Sequence, residues 1–269
     1  GTLGIVTKAT ISLVPPPAAI YTLIAPFANL NDAIGAVPKI LTGKVIPMAV
    51  EFIDREAMRV TEQFLDKRWP SDFGQAHLMI ILDGSSEDEA LALAQKVAGI
   101  CLENGSGEII FADAVDKQRT ILELRSKSLD SLRKNMLEIL DITIPRARIA
   151  DFVRTTEQLA VEMETWLPTY GHAADGNVHT HIMKARWKNG VWTEIPGWRE
   201  KYPVLMKKIH ALGKSFGGVI SGEHGIGITK KPYMEDFLGK RQIALMKSIK
   251  NVFDPQSILN PGKIFSEPD

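Results

Sequence analysis

Hydrophobic residues follow two different periods along the chain, and the two periods alternate. Short apolar runs rich in β-branched residues predict strands, and longer stretches with apolar residues three and four positions apart predict amphipathic helices. In the first half they predict strand 21–27, helix 31–41, strand 49–53, helix 55–65, strand 76–82, a helix between Ser86 and Gly105, and strand 108–112. This order is typical of a split βαβ, ferredoxin-like unit with an antiparallel sheet.

A second set of alternating elements follows from residue 115 onward. It comprises helix 117–134, an extended segment 138–144 stopped by Pro145, helix 149–166, a hairpin over 168–183, a turn-containing insertion 184–196, helix 198–216 and helix 241–253. We therefore predict an α+β fold with an antiparallel sheet flanked by helices, built from duplicated ferredoxin-like units. The two halves, approximately 18–114 and 115–269, are expected to face each other, with the chemistry concentrated in the second.

Residues 1–17 precede this pattern and differ from it. The β-branched run 1–14 predicts a strand, which Pro15, Pro16 and Pro17 close. The chain also begins without Met. We therefore expect this segment to be the end of a preceding domain, and the chain to be a truncated form of a longer protein.

Composition and charge limit the classes of function. The chain has 269 residues, 45% of them hydrophobic, and its 32 Lys and Arg balance 32 Asp and Glu. Because this balance gives no general attraction to polyanions, we expect no nucleic-acid partner. The single cysteine, Cys101, excludes an internal disulfide and favours a reducing compartment. Since no apolar run reaches about 18 residues and no leader is present, we expect a cytoplasmic protein; peripheral association at the inner membrane stays open.

A histidine-rich hairpin is predicted around the Asp-Gly dipeptide at 175–176. If these two residues form a two-residue turn, His172 and His179 lie directly opposite each other on one face of the ladder. If the turn lies one residue later, His172 faces His181 instead. Adjacent imidazoles suggest a metal site, although a histidine-rich hairpin without further signals is more often a polar surface turn.

A second motif, Ser221–Gly227, carries Glu223 and His224 in a glycine-rich loop. Glycine tolerates backbone conformations that other residues avoid, so such a loop can aim both side chains at one point. Together with the hairpin histidines, this motif offers a metal ligand set and a base. His77 and His210 carry no partner signal, and we expect them to be ordinary strand and helix residues.

The order of these motifs resembles that of a known family. The chain resembles the C-terminal substrate or cap domain of FAD-linked oxidases of the vanillyl-alcohol-oxidase superfamily, in the group containing D-lactate dehydrogenase, D-2-hydroxyglutarate dehydrogenase and the FAD subunit of glycolate oxidase. The resemblance covers essentially the whole chain, and its specificity lies in two histidine motifs followed by an Asn-Pro-Gly-Lys tail. The matching segments are Gly1–Val6, Glu51–Asp54, Asp141–Pro145, His172–His179, Ser221–Gly227, Asp254-Pro255 and Ile258–Lys263.

This resemblance implies a division of the protein and two cofactors. Residues 1–17 would be a remnant strand of a missing N-terminal FAD-binding domain, and residues 18–269 would be the substrate or cap domain. FAD would be held mainly by the missing domain, so that this chain would not hold it alone. The resemblance also implies a divalent metal, with zinc favoured, bound by His172, His179 and Glu223 beside an open position for substrate.

The remaining site residues follow from the same resemblance. His224 would be the general base, and Arg125 would clamp the substrate carboxylate with its two-pronged donor geometry. The family usually has Trp where Leu122 stands here and Gly where Ala174 stands. The residues expected on the flavin side are Asn177, Asn260 and Lys263.

The function implied is an FAD-dependent oxidoreductase that converts a small 2-hydroxy acid, such as D-lactate, glycolate or D-2-hydroxyglutarate, to the 2-keto acid. Its partners would be the FAD-binding domain and an acceptor, either an iron-sulfur protein, a cytochrome, a quinone or an electron-transfer flavoprotein; a homodimer stays open. The alternatives are a metal-dependent hydrolase and a non-catalytic ferredoxin-like binding domain. A nicotinamide cofactor is not indicated, because the glycines of 222–227 have the wrong spacing for a dinucleotide-binding turn.

Overall fold

The structure, a computed structural model, describes residues 3–265 of the chain. The first half contains β1 (Ala19–Phe27), α1 (Leu30–Thr42), β2 (Ala49–Asp54), α2 (Arg55–Leu65), β3 (Ala76–Gly84), α3 (Glu87–Glu103) and β4 (Ile110–Ala112). The second half contains α4 (Val115–Ser126), α5 (Ser128–Leu132), β5 (Met136–Thr143), α6 (Ile149–Glu162), β6 (Thr169–His172), β7 (Asn177–Met183), β8 (Ala185–Lys188), β9 (Val191–Glu194), α7 (Trp198–Ser215) and α8 (Met234–Phe253).

The first half is a ferredoxin-like unit, as predicted. Its strands lie in the order β4-β1-β3-β2, and every pair is antiparallel. Helices α1 and α3 make the two crossovers, and α2 is an added helix between β2 and β3. The predicted start of α3 is also confirmed, because the Ser86 hydroxyl accepts a hydrogen bond from the Glu89 N–H at 3.2 Å.

The second half repeats this arrangement and joins the first at a strand edge. Its strands lie in the order β6-β7-β5, and an antiparallel bridge between Thr143 and Val219 stands where the fourth strand would be. Strand β2 pairs with β6, with Glu51 opposite His172, so that seven strands form one sheet. The prediction that the halves face each other is therefore wrong. They join edge to edge, because each satisfies the backbone groups on the unpaired edge of the other.

The register of the β6–β7 hairpin differs from both predicted registers. His172 pairs with Asn177, and Tyr170 pairs with His179, so the loop has four residues rather than two. The prediction that His172 lies directly opposite His179 or His181 is therefore wrong. Because the shift amounts to two residues, however, it preserves the face on which each side chain lies. His172 and His179 are diagonal neighbours on that face, with ring centroids 5.3 Å apart.

The strand predicted for residues 1–14 is not found in the described part of this segment, and Gly1 and Thr2 lie outside the described residues. A strand needs a partner for its backbone groups, and no strand among residues 3–265 pairs with residues 3–17. The three consecutive prolines also lack an N–H. Hydrogen bonding to the sheet begins at Ala18, whose N–H donates to the Gly84 carbonyl at 3.0 Å.

Three further elements differ from the sequence prediction. The predicted helix 117–134 is broken at Lys127 into α4 and α5. The insertion 184–196 forms the hairpin β8–β9, in which Asn189 and Gly190 both have positive φ. The last helix begins at Met234 and is kinked at Gly239. No helix among residues 3–265 combines the length and apolar character needed to span a membrane.

Alternate side chains of the strands enter two different hydrophobic clusters. Leu23 belongs to the larger cluster, which contains residues of α1, α3 and α6 and of both halves, whereas Ile24 belongs to a smaller one on the other face. In the smaller cluster, Ile121 and Leu124 of α4 pack with Met58 of α2. This packing holds α4 against the first half and determines where its polar residues point.

The Asp-Gly turn provides a test of the hairpin geometry. Gly176 has a φ of 90°, and a Cβ there would lie 2.1 Å from the Ile144 carbonyl oxygen. Gly190 in the β8–β9 hairpin has a φ of 86°, yet nothing lies within 4 Å of the position that a Cβ would take there. We expect Gly190→Ala to lower the free energy of unfolding by about 1–2 kcal/mol from backbone strain alone. Gly176→Ala adds a clash with the Ile144 carbonyl oxygen and should lower the free energy of unfolding by roughly 2 kcal/mol more than Gly190→Ala does.

Urea unfolding of both variants measures these losses. The two variants share the backbone strain, so their difference reports the close contact with Ile144 alone. Equal losses of the free energy of unfolding for the two substitutions would contradict the packing of the turn against Ile144.

Candidate metal and substrate site

Three imidazole nitrogens surround one carboxylate oxygen on one face of the sheet, beside the β6–β7 hairpin. The Glu223 Oε1 atom lies 3.6 Å from His172 Nε2, 3.4 Å from His179 Nε2 and 3.6 Å from His224 Nε2. The His179 and His224 rings are stacked, with centroids 5.0 Å apart. The structure thus brings together the two motifs that the sequence singled out, although 40 or more residues separate them.

The hairpin supplies two of the histidines because β6 and β7 point them to the same face. His179 is buried, with 4% of its surface exposed, whereas Glu223 is half exposed. Burial, and to a lesser extent the imidazoles of His224 and His172, lowers the pKa of His179 to about 3. His179 is therefore neutral at physiological pH, which is the form that binds a metal.

The carboxylate of Asp141 holds the Ser221–Gly227 loop in place. Its Oδ2 atom accepts hydrogen bonds from the backbone N–H groups of Gly222 at 3.1 Å, Glu223 at 3.1 Å and His224 at 2.8 Å. Asp141 is fully buried on β5. Burial alone would raise its pKa, but these hydrogen bonds and its other partners outweigh burial and lower the pKa to about 2.

Two side chains complete the environment of Asp141. The Ser221 hydroxyl donates to Asp141 Oδ2 at 2.8 Å, and the buried Lys230 ammonium donates to both Asp141 Oδ2 and Ser221 Oγ at 3.1 Å. The loop also approaches the hairpin closely. A Cβ at Gly222 would lie 2.5 Å from Asn177 Oδ1, so a larger residue would push the loop off β7. The glycine there is required for close packing.

The distances fit a metal bound by His172, His179 and Glu223. Two donor atoms bound to one tetrahedral zinc at about 2.0–2.1 Å lie roughly 3.4 Å apart. The measured separations from Glu223 Oε1 to the two histidine nitrogens, 3.4 and 3.6 Å, agree with that value. The donor set of two nitrogens and one oxygen, with one side exposed, suits a zinc site that keeps a position for substrate.

A second set of possible ligands shares part of this cluster. Ligand atoms of Asp141, His179 and His224 also lie within 4.8 Å of one another. Asp141, however, already accepts bonds from three backbone N–H groups, a hydroxyl and an ammonium. A metal at Asp141 would displace these donors, so the set that contains Glu223 is favoured.

Arg125 lies beside the cluster but is not a free cation. Its Nη2 donates to Glu51 Oε2 at 2.6 Å, and its guanidinium carbon lies 4.8 Å above the centre of the Tyr170 ring. Glu51 in turn contacts His172 Nδ1 at 2.5 Å. The structure therefore connects the predicted carboxylate clamp to a predicted metal ligand through Glu51.

Glu51 and His172 also influence each other's protonation. Burial raises the pKa of Glu51, but the hydrogen bond with His172 and the charge of Arg125 outweigh it, so the net shift is downward. The hydrogen bond to Glu51 raises the pKa of His172. Glu51 is therefore an anion at neutral pH that accepts a hydrogen bond from His172 Nδ1–H.

The three residues expected on the flavin side lie in two places. Asn177 is buried beside the loop, and its Oδ1 atom has no partner among the described residues. Asn260 and Lys263 line a cavity of about 500 Å³ together with Lys247 and Phe265; none of the six histidines lines it. The structure brings Asn260 and Lys263 together but does not bring Asn177 into that cavity.

The C-terminal segment that carries Asn260 and Lys263 is attached to the histidine loop. The Ile264 N–H donates to the Gly227 carbonyl at 2.8 Å, and the Lys231 ammonium donates to the Gly262 carbonyl at 3.0 Å. Phe265 also packs with Ile220 in a small hydrophobic cluster. The segment therefore continues the same structural unit as the loop.

The other histidines have structural partners. His77 Nδ1 accepts a hydrogen bond from Trp69 Nε1 at 2.7 Å, and His210 stacks on Tyr233 with centroids 4.1 Å apart. His181 is fully buried, and its Nδ1 contacts the Pro168 carbonyl at 2.9 Å. The expectation of ordinary roles for His77 and His210 agrees with these contacts.

The residues that organise the site were not identified from the sequence. Glu51 and Asp141 stand in segments that carried the family resemblance, but no role was assigned to either. Their partners come from 74 to 121 residues away for Glu51 and from 80 to 89 residues away for Asp141. The available signal was an acidic residue with apolar residues on both sides in a predicted strand, since such a residue is rarely buried without a partner.

Comparisons with known proteins identify relatives over nearly the whole chain. A family model described as "FAD linked oxidases, C-terminal domain" matches residues 16–264. D-lactate dehydrogenase of Archaeoglobus fulgidus is 38% identical over 98% of this chain and 56% of its own length. Glycolate oxidase subunit GlcD of Bacillus subtilis is 35% identical over 99% of this chain and 55% of its own length. The chain thus spans about half the length of the curated relatives it matches.

Solved structures share the fold at much lower identity. p-Cresol methylhydroxylase matches 94% of this chain and 54% of its own with a TM-score of 0.68 and 13% identity. 4-Ethylphenol oxidase from Gulosibacter chungangensis matches 96% of this chain and 56% of its own with a TM-score of 0.67 and 13% identity. At this identity the likeness shows the fold alone, and it confirms the predicted α+β class.

Asp141 provides a test of how the loop is held. Asp141→Asn removes the charge that balances buried Lys230, and we expect the free energy of unfolding to fall by roughly 3 kcal/mol or more. Ser221→Ala removes one neutral donor to the same oxygen and should cost about 1 kcal/mol. Urea or thermal unfolding measures both losses.

Asp130→Asn is the matched control, because Asp130 is more exposed and its ion pairs within residues 3–265 are with surface Lys127 and Arg133. The free energy of unfolding of Asp130→Asn should stay within about 0.5 kcal/mol of wild type. A loss for Asp141→Asn no larger than that of the control would show that the loop does not depend on this carboxylate.

Proposed function

The chain belongs to the family of FAD linked oxidases, C-terminal domain, and from this membership we propose that it forms the substrate-binding part of an enzyme that oxidises a small 2-hydroxy acid to the 2-keto acid. The relatives support the substrate class, since two of them are named for lactate and glycolate, both 2-hydroxy acids. The observation that carries the proposal is the convergence of three histidine nitrogens on Glu223 Oε1, within 3.4–3.6 Å.

His172, His179 and Glu223 would hold a divalent metal, with zinc favoured by the donor set and its spacing. A metal bound there supplies a positive charge that binds the oxygens of the substrate and makes its hydroxyl more acidic. The exposed side of Glu223 leaves room for the substrate on the solvent side of the cluster. The neutral state of His179 leaves its lone pair available for the metal.

His224 would accept the proton of the substrate hydroxyl. Its Nε2 lies 3.6 Å from Glu223 Oε1, next to the proposed ligands, and its Nδ1 lies 4.0 Å from Asp141 Oδ2. The Asp141 carboxylate is ionised at neutral pH because its pKa is about 2. It therefore attracts the positive charge that the imidazole gains with the proton.

Arg125 would bind the carboxylate of the substrate. One of its terminal nitrogens is taken by Glu51, and its Nε has no partner among the described residues. A guanidinium has five N–H donors, so donors remain after the contact with Glu51. Leu122, which stands where the family usually has Trp, is 43% exposed on the same helix, so the pocket on that side differs from the family pattern.

FAD, when bound, supplies the acceptor for the hydride of the substrate α-carbon. It would be bound mainly by a domain outside this chain, since the relatives are nearly twice as long. Asn177, Asn260 and Lys263 would face that domain. The final electron acceptor stays a prediction, with an iron-sulfur protein, a cytochrome, a quinone or an electron-transfer flavoprotein as the candidates. A homodimeric state also stays a prediction. The names of the relatives favour oxidation over the metal-dependent hydrolase and over a non-catalytic binding domain.

The first test is flavin reduction. The full-length protein should bind FAD, and its flavin absorbance should bleach when D-lactate, glycolate or D-2-hydroxyglutarate is added without oxygen. His224→Gln should retain flavin but bleach about 10²–10⁴-fold more slowly, because the proton acceptor is lost. A folded full-length protein that never binds flavin would exclude the proposed reaction, and an unchanged rate in His224→Gln would exclude this base.

The second test is metal dependence. Chelation of the full-length protein should abolish bleaching by the 2-hydroxy acid, and added Zn²⁺ should restore it. Glu223→Gln should lower the metal content, because an amide is a weaker ligand than a carboxylate. Glu235→Gln is the matched control, since Glu235 is an exposed residue of α8 whose pairing with Lys240 spans 3.7 Å. Bleaching that survives complete removal of metal is the result that contradicts this part of the proposal.

A further inference from the structure

A glutamate from the first half reaches the site where the two halves join. Glu51 lies on β2 and pairs with His172 of β6 across the β2–β6 contact. Its side chain is 9% exposed. A carboxylate buried to this extent is costly unless its oxygens are paired, so its partners reveal what it does.

Each oxygen of Glu51 has a different partner. Oε1 lies 2.5 Å from His172 Nδ1, and Oε2 lies 2.6 Å from Arg125 Nη2. One partner belongs to β6 in the second half, and the other belongs to α4. The other nitrogen of His172 faces Glu223 Oε1 at 3.6 Å. Glu51 is thus the shared partner of a proposed metal ligand and the proposed substrate clamp.

The contact with Glu51 determines which nitrogen of His172 carries the proton. An anionic carboxylate accepts hydrogen bonds only, so His172 donates its Nδ1–H. The lone pair of the neutral ring is then on Nε2, which points toward the cluster. Carboxylate partners of this kind fix the orientation and tautomer of metal-binding histidines.

We propose that Glu51 is a positioning residue that couples the metal ligand His172 to the carboxylate clamp Arg125. The inference deepens the proposed function and rests on it. An ion pair with Arg125 alone would need one oxygen of Glu51, and the second oxygen is used on His172 instead. Because both partners share one carboxylate, a change at Glu51 should disturb metal binding and substrate binding together.

Glu51→Gln tests this coupling with almost no change of shape. The carboxylate presents two acceptors to two donors, whereas an amide presents one acceptor and one donor. If the amide oxygen stays on Arg125, the NH₂ group faces His172 Nδ1 and favours the tautomer with the proton on Nε2. That tautomer has no lone pair toward the metal. If the amide turns round, the NH₂ group faces the guanidinium and disturbs the clamp.

The experiment compares full-length wild type, Glu51→Gln and the control Glu123→Gln. Glu123 also lies in an ion pair, with Lys67, and is on the same helix as Arg125, but it has no contact with the histidines. Competition with a chromophoric chelator measures the Zn²⁺ dissociation constant, and Co²⁺ in place of Zn²⁺ reports the ligand geometry through its visible absorption. We expect a 10–100-fold weaker Zn²⁺ affinity in Glu51→Gln, a changed Co²⁺ spectrum and a raised KM for the 2-hydroxy acid, with the control unchanged.

The outcomes separate this inference from the function on which it rests. Wild type that binds no Zn²⁺ would overturn the proposed metal site. Wild type that binds Zn²⁺, together with Glu51→Gln of equal affinity and identical Co²⁺ spectrum, would overturn the role of Glu51 alone. If Glu51→Gln does not fold, Glu51→Asp serves instead, since it retains the charge but is too short to reach both partners. An affinity of Glu51→Asp equal to wild type overturns the inference in the same way.

Discussion

The buried carboxylate of Asp141 is the constraint on which the site depends. A loop with three glycines between Ser221 and Gly227 has many accessible conformations, and nothing in its own sequence selects one. The three consecutive N–H groups that donate to Asp141 select a single path for the backbone. Lys230 balances the charge, so the carboxylate can remain ionised in the interior. The side chains of Glu223 and His224 then project from a fixed backbone.

The joining of the two halves also brings the residues of the candidate site together. The hairpin histidines and the loop belong to the second half, whereas Glu51 belongs to the first and Arg125 to a helix packed on the first. Strand pairing between β2 and β6 brings these groups within hydrogen-bonding distance. The contact between the two halves thus creates a cluster of histidine, glutamate and arginine side chains that neither half contains alone.

Local patterns predicted most of the elements but not the relations between distant ones. Hydrophobic periodicity predicted the strands and helices of the first half to within a few residues, because burial on one face leaves a period in the sequence. The predicted loop length of the hairpin was wrong, since Gly176 packs closely against Ile144, the residue that follows β5, and such a distant contact leaves no local signal. His172 and His179 still lie on the same face of the sheet, because only a register shift by an odd number of residues would move a side chain to the other face. The roles of Glu51 and Asp141 depend on partners far along the chain, which periodicity cannot supply.

The hydrogen bond between Ile264 and the Gly227 carbonyl has a mechanical consequence. It joins the C-terminal segment to one end of the Ser221–Gly227 loop, and the other end of that loop is bound to Asp141 of β5. The segment and the loop are therefore mechanically connected. A displacement of residues 260–265 would be passed to the backbone beside Glu223 and His224. The segment that carries Asn260 and Lys263 and the loop that carries Glu223 and His224 would then move together.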